Sequence, residues 1–286
     1  MSNTNKRNFI FIIFLLCIFG FSREVDAAIL TMKQGEVLLY PINFPTTTSV
    51  LFGGVKMPVF NYNGKKYALV AADVNKKRDN YNLLIKEEEK ELEKMVIKIK
   101  TSTQPKVMMK KAYKFKTLPK EKQAEVLENK APLVAALTKA TAEAKPKIWQ
   151  SLFRSPLSIM TTTSAFGYTR IYTNHLTTHH GEDLRAKVGT PVYAISDGEV
   201  LWVEGKALYL EGPTVVIDHG DGIISKYLHL SKVLVQAGSN VKAGDIVGYS
   251  GDQGADVQGA HLHFAIKVGN ASVSPLQFIQ EFQKLK

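Results

Sequence analysis

The stretch AHLHFAIKV, residues 260–268, decides the fold of the C-terminal half of this chain. Apolar residues alternate with histidine and lysine, which is the period of a β-strand with one buried face. His261 and His263 are two residues apart, so both imidazoles point to the same face of this strand, and Leu262 points to the other. Two imidazoles on one face need polar partners or a metal ion. The motif alone is compatible with either.

The remaining histidines favour the metal. The chain has seven histidines, and all of them lie between residues 175 and 263. A second motif, HHGED at residues 179–183, places His179 and Asp183 on either side of Gly181. We expect the glycine to let the backbone turn, so that an imidazole and a carboxylate converge. Two nitrogens and one oxygen, with a fourth position left to water, form the ligand pattern of a catalytic zinc site.

The rest of the C-terminal half predicts more strands. Glycine and aspartate turns recur between short apolar runs, for example at Asp197-Gly198, Ala243-Gly244-Asp245 and Ser250-Gly251-Asp252. This spacing is typical of an antiparallel β-sheet or barrel. Tyr227-Leu228-His229-Leu230 adds a histidine at the end of another predicted strand.

Residues 28–100 also predict a small β domain, with a hairpin whose turn is Asn63-Gly64. The charged stretch from Lys86 to Glu93 is interpreted as a short helix or a polar turn. Residues 101–150 predict a helical connector of two helices. One begins at Leu118-Pro119 and runs through Asn129, and the other begins at Ala131-Pro132 and runs to about Lys145. The predicted fold class is therefore mainly β.

The N-terminus has the pattern of a secretory signal at residues 1–27. Lys6 and Arg7 precede an apolar run of 13 residues, Phe9 to Phe21, which is short for a membrane span. Cleavage is expected after Ala27, with an uncleaved anchor as the alternative. Cys17 is the single cysteine, so the mature chain would have no disulfide and no thiol nucleophile. The predicted organisation is a signal at 1–27, a β domain at 28–100, a connector at 101–150 and a C-terminal domain at 151–286.

The net charge of the chain is +11. The signal contributes three basic and two acidic residues, so the mature protein would carry 11 − 1 = +10. In an exported protein this charge suggests an anionic partner such as the cell wall or a membrane surface, and lysine-rich solubility accounts for it equally well. Nucleic acid is not expected, because no helix interleaves arginine with aromatic residues. No other apolar run approaches membrane length, so no membrane span is expected after cleavage.

The motifs between Ser164 and Pro275 together resemble the lysostaphin-type (LytM-like) zinc metallopeptidases, which cut peptide bonds in bacterial peptidoglycan. The resemblance extends over about 110 residues. Its motifs are His179-x-Gly181-x-Asp183, Gly189–Val192, Asp197–Val200, Val216–Gly220, Tyr227–Leu230, Val241–Asp245 and Gly259–Phe264. The upstream β region and connector resemble exported Gram-negative members more loosely.

The resemblance implies a role for most of the histidines. His179, Asp183 and His263 match the ligands of one zinc ion, and His261 and His229 match two catalytic histidines beside it. His180 is not expected to bind metal, because the family's ligand lies two positions before the glycine.

Three further residues are expected to lie outside the catalytic set. His219 matches a turn position, His175 is expected in a loop at the rim of the cleft, and Arg170 matches a family arginine of structural character.

Three positions depart from the family pattern. Glu182 stands where many members have an aliphatic residue, Gln253 where a threonine is usual, and Ala260 where a proline is frequent. All three are expected near the cleft, so they bear on the choice of substrate.

The sequence therefore predicts an exported, periplasmic or cell-wall-associated zinc endopeptidase acting on peptidoglycan stem peptides or cross-links. The bond is a D-alanyl-to-diaminopimelate cross-link if the organism is Gram-negative, or else a glycine bridge. The alternatives are a non-catalytic peptidoglycan-binding or amidase-activating regulator of the same fold, and a biotinyl- or lipoyl-type carrier. Five aligned metal-site residues argue against both. The division of work between His229 and His261, the role of residues 28–100 and the oligomeric state stay open.

Overall fold

The computed structural model of the protein describes residues 29–47, 49–102, 105–255 and 257–286. The predicted signal sequence, residues 1–27, lies outside these ranges. Within them, none of the helices carries an apolar stretch long enough to cross a membrane.

The N-terminal part is built from strands, as the sequence predicts. In the described ranges these are β1 (Ile29–Lys33), β2 (Val37–Ile42), β3 (Ser49–Phe52), β4 (Val55–Met57), β5 (Val59–Tyr62), β6 (Lys65–Ala71), β7 (Asn80–Glu87) and β8 (Lys90–Lys100). They form a five-stranded sheet in the order β1-β8-β7-β3-β4 and a three-stranded sheet in the order β2-β6-β5. Apolar residues of both sheets share one core, among them Val50 and Leu83 from the first and Val70 from the second. Alternation of apolar and polar residues produces this arrangement, because it buries one face of each sheet.

Two hairpins show how local sequence sets the turns. Asn63 and Gly64 both have positive φ, 47° and 73°, as a two-residue turn of this kind requires, so the predicted hairpin is confirmed. The charged stretch after Lys86 contains a turn, as one of the two interpretations had it, but the turn occupies only the two residues between β7 and β8. The rest of the charged stretch belongs to β7 and β8, which are hydrogen-bonded to each other along their backbones, with Ile85 opposite Glu93.

The connector differs from the prediction of two helices. It contains β9 (Lys106–Met108), a short helix α1 (Lys114–Thr117) and one long helix α2 (Lys120–Ala142), which runs through Pro132. Proline removes one helical hydrogen bond and disfavours a continuous helix. Tertiary contacts on both sides of Pro132 oppose that tendency: Lys130 forms an ion pair with Glu211, and the buried Leu133 packs in a cluster with Ile224.

The C-terminal part is mainly antiparallel β-structure and ends in one helix. Its described elements are β10 (Thr162–Ser164), β11 (Thr169–Ile171), β12 (Leu176–Thr178), β13 (Glu182–Arg185), β14 (Pro191–Tyr193), β15 (Gly198–Leu208), β16 (Gly212–Asp218), β17 (Ile223–Leu228), β18 (Leu230–Val233), β19 (Asn240–Val241), β20 (Ile246–Ser250), β21 (His261–Val268), β22 (Ala271–Val273) and α3 (Pro275–Gln283).

The largest sheet has the order β10-β13-β21-β17-β16-β15-β19, and β22 also pairs with β21. A second sheet has the order β14-β20-β18. In a third, β9 of the connector pairs in parallel with β11 of the hairpin β11-β12. The predicted antiparallel sheet is confirmed, and β21 lies inside it with a strand on each side.

One of the hydrophobic core clusters contains residues of both parts. Trp149 is fully buried, and its ring lies 5.1 Å from that of Phe60 in β5 and 5.5 Å from that of Phe282 in α3. The amide of Gln277 both donates to the backbone oxygen of Val37 and accepts from its backbone nitrogen, each at 2.8 Å. The N-terminal sheet β2-β6-β5 is thus packed against the part of the chain that carries the histidines.

Candidate metal centre

Strand pairing brings two of the predicted ligands face to face. Asp183 of β13 lies directly opposite His263 of β21 in the antiparallel register. His179 follows β12, where its backbone nitrogen donates to the Tyr168 oxygen and its backbone oxygen accepts from Gly167, both at 2.8 Å. The extended hairpin carries the His179 side chain to the same place, and His179 and Asp183 are both buried.

Three donor atoms form a small triangle. His179 Nε2 is 3.0 Å from Asp183 Oδ1 and 3.1 Å from His263 Nδ1, and His263 Nδ1 is 2.8 Å from Asp183 Oδ1. Tetrahedral zinc with bonds of about 2.0–2.2 Å separates its ligand atoms by roughly 3.3 Å. In the described part of the chain these residues form a group able to hold a metal ion. The donor set therefore fits zinc in both chemistry and spacing.

Hydrogen bonds fix the imidazole tautomer of His179. Its Nδ1–H donates to the backbone oxygen of Ala165 at 2.9 Å, which leaves the lone pair of Nε2 directed at the triangle. Burial lowers the pKa of His263 to about 4, so its ring is neutral near pH 7. Neutral imidazole is the form that binds metal.

Asp183 is held as a carboxylate. Burial raises its pKa, but hydrogen bonds with His179 and His263 outweigh burial and hold the pKa of this carboxyl well below its usual range. Arg170 Nη2 donates to Asp183 Oδ2 at 2.7 Å and to Ser164 Oγ at 2.9 Å. Arg170 thus binds Oδ2 of Asp183, and the other oxygen, Oδ1, faces His179 and His263.

Gly181 has a different role from the one expected. Its φ is not positive, so the turn does not depend on left-handed backbone. A Cβ atom at this position would lie 2.5 Å from His263 Nε2 and 2.8 Å from the Phe264 backbone oxygen. The glycine is therefore needed because β21 and the His263 ring pass too close for any side chain.

The two remaining predicted site residues lie beside the triangle. His261 Nε2 is 3.6 Å from Asp183 Oδ1, and the ring of His229 is 4.9 Å from that of His261 and 5.8 Å from that of His263. His261 Nδ1 bonds the Gly259 oxygen and His229 Nδ1 bonds the Gln253 oxygen, both at 2.8 Å. Because a carbonyl only accepts, both rings carry their proton on Nδ1 and present a bare Nε2. Burial lowers the pKa of His229 to about 3.

The other histidines lie outside the donor triangle. His180 is exposed, and the ring of His175 stacks on Tyr113 with centroids 5.4 Å apart. His219 is fully buried; its Nδ1–H donates to the Asp197 oxygen at 2.7 Å and its Nε2 accepts from Ser225 Oγ at 2.8 Å. His219 therefore occupies a structural position, as its place in a turn suggested.

Two of the departures from the family pattern have defined contacts, Glu182 through its side chain and Gln253 through its backbone oxygen. Glu182 does not face the cleft: it is buried, and its oxygens accept from Thr162 Oγ1 at 2.7 Å and from the Phe166 backbone nitrogen at 2.9 Å. Gln253 contacts the site through its backbone oxygen, which holds His229. The expectation that Glu182 influences substrate choice is replaced by a structural role, because its side chain lies on the face of β13 opposite Asp183.

The connector reaches the centre, which the sequence did not reveal. A cavity of about 710 Å³ is lined by the predicted ligand and catalytic histidines and His180, by Tyr113 and Val107 of the connector and by Lys130 and Leu137 of α2. Lys226 and Lys267 line the same cavity. The sequence could have predicted these lysines from alternation along the strands. Lys226 is two residues from Leu228 and Lys267 is four residues from His263, so each lysine shares a strand face with that residue.

Comparison with known proteins identifies the domain that carries this centre. Residues 177–275 match the model of Peptidase family M23. The peptidoglycan DD-endopeptidase ShyA of Vibrio cholerae is 38% identical over 105 residues, which is 37% of this chain and 24% of that protein. The glycyl-glycine endopeptidase ALE-1 of Staphylococcus capitis is 38% identical over 107 residues, which is 36% of this chain and 29% of that protein. The chain thus spans less than a third of the length of each of these two relatives.

The fold has a counterpart among solved structures. The crystal structure of a candidate peptidase M23 from Pseudomonas aeruginosa matches with a TM-score of 0.66 over 87% of this chain and 95% of that chain, at 24% identity. The likeness therefore includes the N-terminal sheets and the connector as well as the histidine-bearing sheet.

Proposed function

We propose that this protein, whose residues 177–275 form a domain of peptidase family M23, is an exported zinc-dependent endopeptidase that hydrolyses peptide bonds in peptidoglycan. The proposal places it in the periplasm or at the cell wall, consistent with the secretory pattern of residues 1–27 and the basic charge. The relatives support this substrate class, since one is named for DD-bonds and another for glycyl-glycine bonds.

The observation that carries the proposal is the donor triangle, with two imidazole nitrogens beside it that form no hydrogen bond to any described residue. His179, Asp183 and His263 supply three ligand atoms, as a catalytic zinc site does when its fourth position is left to water. The Nε2 atoms of His261 and His229 remain available because backbone carbonyls take their Nδ1 protons. A purely structural metal site would have no use for them.

The chemistry that zinc supplies when bound to such a set is the activation of a water molecule and the polarisation of a carbonyl. The protein residues then handle the protons. His261 Nε2, 3.6 Å from Asp183 Oδ1, accepts the proton of the attacking water as general base. Arg170 keeps the Asp183 carboxylate oriented throughout, since it holds the oxygen that faces away from the histidines.

His229 lies at the junction of β17 and β18, with its ring beside those of both His261 and His263. Its backbone has a positive φ of 64°, and the residue lines the cavity, where Nε2 can orient the water or the scissile group. A histidine that has taken a proton becomes a donor, so either His261 or His229 can protonate the leaving amine. The two tasks are separable by substitution.

The test is digestion of purified sacculi by the zinc-loaded mature protein, with mass-spectrometric identification of the released muropeptides. New amino termini within stem peptides or cross-links are the expected products, and a chelator should abolish them. The Asp183→Asn variant should lose metal, measured by elemental analysis, and lose hydrolysis with it. A protein that binds zinc and releases no peptide fragment would contradict the endopeptidase proposal and favour a wall-binding regulator.

A further inference from the structure

The floor of the cavity beyond the metal centre carries two lysines. In the antiparallel register of β17 and β21, Lys226 lies opposite Ala265, and Ile224 lies opposite Lys267. Residues that alternate along β21 share a face, so Lys267 points to the same side as His261 and His263. Lys226 joins them from the neighbouring strand, about 7 Å along the sheet from His263, since a strand advances about 3.4 Å per residue.

These ammonium groups are poorly compensated. Both lysines are partly buried, and among the described residues no carboxylate oxygen lies within 4.0 Å of either Nζ atom. Lys267 Nζ donates to the backbone oxygen of Asn270 at 3.3 Å. Burial, with the charges of Lys267 and Lys130, lowers the pKa of Lys226 to about 8. An anion placed between the lysines would remove this electrostatic cost.

The nearby acidic groups are already engaged. Glu211 is the ion-pair partner of Lys130. Asp73, from the N-terminal part, accepts from the backbone nitrogens of Asn75 and Ser272, both at 2.8 Å. Within the described ranges three lysines, Lys130, Lys226 and Lys267, therefore interact with only these two carboxylates, and the cavity keeps an excess of positive charge.

We propose that Lys226 and Lys267 form a subsite that binds a free carboxylate of the substrate next to the scissile peptide bond. The inference rests on the proposed endopeptidase function and specifies its substrate. In a D-alanyl-diaminopimelate cross-link, the carbon that bears the scissile nitrogen also bears a free carboxylate. A glycine bridge has no charged group at this position. The subsite thus selects the acidic cross-link, although the sequence is 38% identical to relatives named for either bond.

Binding to the metal-free protein tests the subsite without turnover and without a zinc ion that could attract the carboxylate itself. The probes are a synthetic D-alanyl-diaminopimelate peptide and the same peptide with that carboxylate converted to a primary amide. We expect calorimetry to show binding of the acid about tenfold tighter or more, as a charge-assisted contact provides. Lys226→Met with Lys267→Met should remove the difference between the two peptides, whereas Lys232→Met, an exposed lysine outside the cavity, should keep it.

Hydrolysis by the zinc-loaded protein gives the second measurement. The ratio of kcat/KM for acid over amide should fall toward one in the double variant, and thermal unfolding should verify that the variant is folded. Equal affinity and equal kcat/KM for acid and amide in the wild type would overturn the subsite and leave the endopeptidase function standing. If the wild type cleaves no peptide and no sacculi, the proposed function fails, and the binding comparison still decides the subsite.

Discussion

Backbone carbonyls determine the chemistry of single residues at this centre. His179, His229 and His261 each bond a carbonyl oxygen through Nδ1, so each presents Nε2 as an acceptor. His263 differs, because it turns Nδ1 to the triangle and its Nε2 toward Gly181. The first three rings share one tautomer, so the tautomer does not distinguish the ligand His179 from the general base His261. Their distances from Asp183 do. His179 Nε2 is 3.0 Å from Asp183 Oδ1, and His261 Nε2 is 3.6 Å from it.

Replacement of His261 by alanine should separate catalysis from metal binding. The variant keeps His179, Asp183 and His263, so its zinc content should stay at the wild-type level. Loss of the general base should lower kcat on the order of 10²–10⁴-fold. Elemental analysis and hydrolysis of the D-alanyl-diaminopimelate peptide check both values. His175→Ala is the control, since that ring stacks on Tyr113 outside the donor set. Near-normal turnover of His261→Ala would show that another group takes the proton.

Replacement of Arg170 by methionine should weaken zinc binding without removing a ligand. The guanidinium holds Asp183 Oδ2 at 2.7 Å and fixes the carboxylate against rotation. Partners of this kind usually contribute about 10–100-fold to metal affinity, so the zinc Kd should rise by that factor. Competition with a chromogenic chelator measures it, with Arg170→Lys expected to recover part of the loss through its charge. An unchanged Kd in the methionine variant would reduce Arg170 to a packing role.

At the scale of elements, alternation was the informative signal. It predicted β21 with its two histidines on one face. The Asn-Gly turn signal predicted the hairpin at Asn63-Gly64, and both signals depend only on neighbouring residues. These local signals failed where contacts between distant segments determine the structure. The continuous helix through Pro132 depends on Leu133 packing with Ile224, and the parallel pairing of β9 with β11 joins segments about 60 residues apart. The contribution of the connector to the cavity is a consequence of those contacts.

The turn between β16 and β17 should make the fold sensitive to acid. Burial lowers the pKa of His219 from 6.5 to about 4. His219 is harder to protonate in the folded state than in the unfolded state. The free energy of unfolding is therefore highest above pH 6.5 and decreases as the pH falls toward 4. The loss should reach about 3 kcal/mol.

Urea unfolding at pH 7, 6, 5 and 4 measures this loss. Comparison with His219→Gln isolates it from the other buried histidines, which both proteins share. The glutamine variant should be less stable at pH 7, and the difference between the two proteins should shrink as the pH falls. A constant difference across this range would mean that His219 has an ordinary pKa.

At the scale of the whole molecule, one core cluster contains residues from both sides of the predicted domain boundary. The sequence divides naturally near residue 150, yet Trp149 packs on Phe60 of the N-terminal sheet and on Phe282 of the C-terminal helix. Val37 and Leu39 of β2 belong to the same core cluster as Val268 and Phe278. Of the roles left open for residues 28–100, this packing supports scaffolding, because the sheet β2-β6-β5 covers apolar surface that would otherwise meet water.

A fragment of residues 150–286 should accordingly be less stable than residues 29–286. Removing Trp149, Phe60 and β2 exposes Phe153, Phe278 and Phe282, all of which are fully buried in the whole chain. Partial exposure of three aromatic rings costs about 3 kcal/mol or more, which for a domain of this size lowers Tm by about 10 °C. Calorimetry on both proteins, each loaded with zinc, measures the difference. If the sheet acted only as a cover over the cleft, the fragment would melt near the Tm of the longer protein and hydrolyse sacculi faster. Low stability with slower hydrolysis would instead show that these strands support the catalytic sheet from behind.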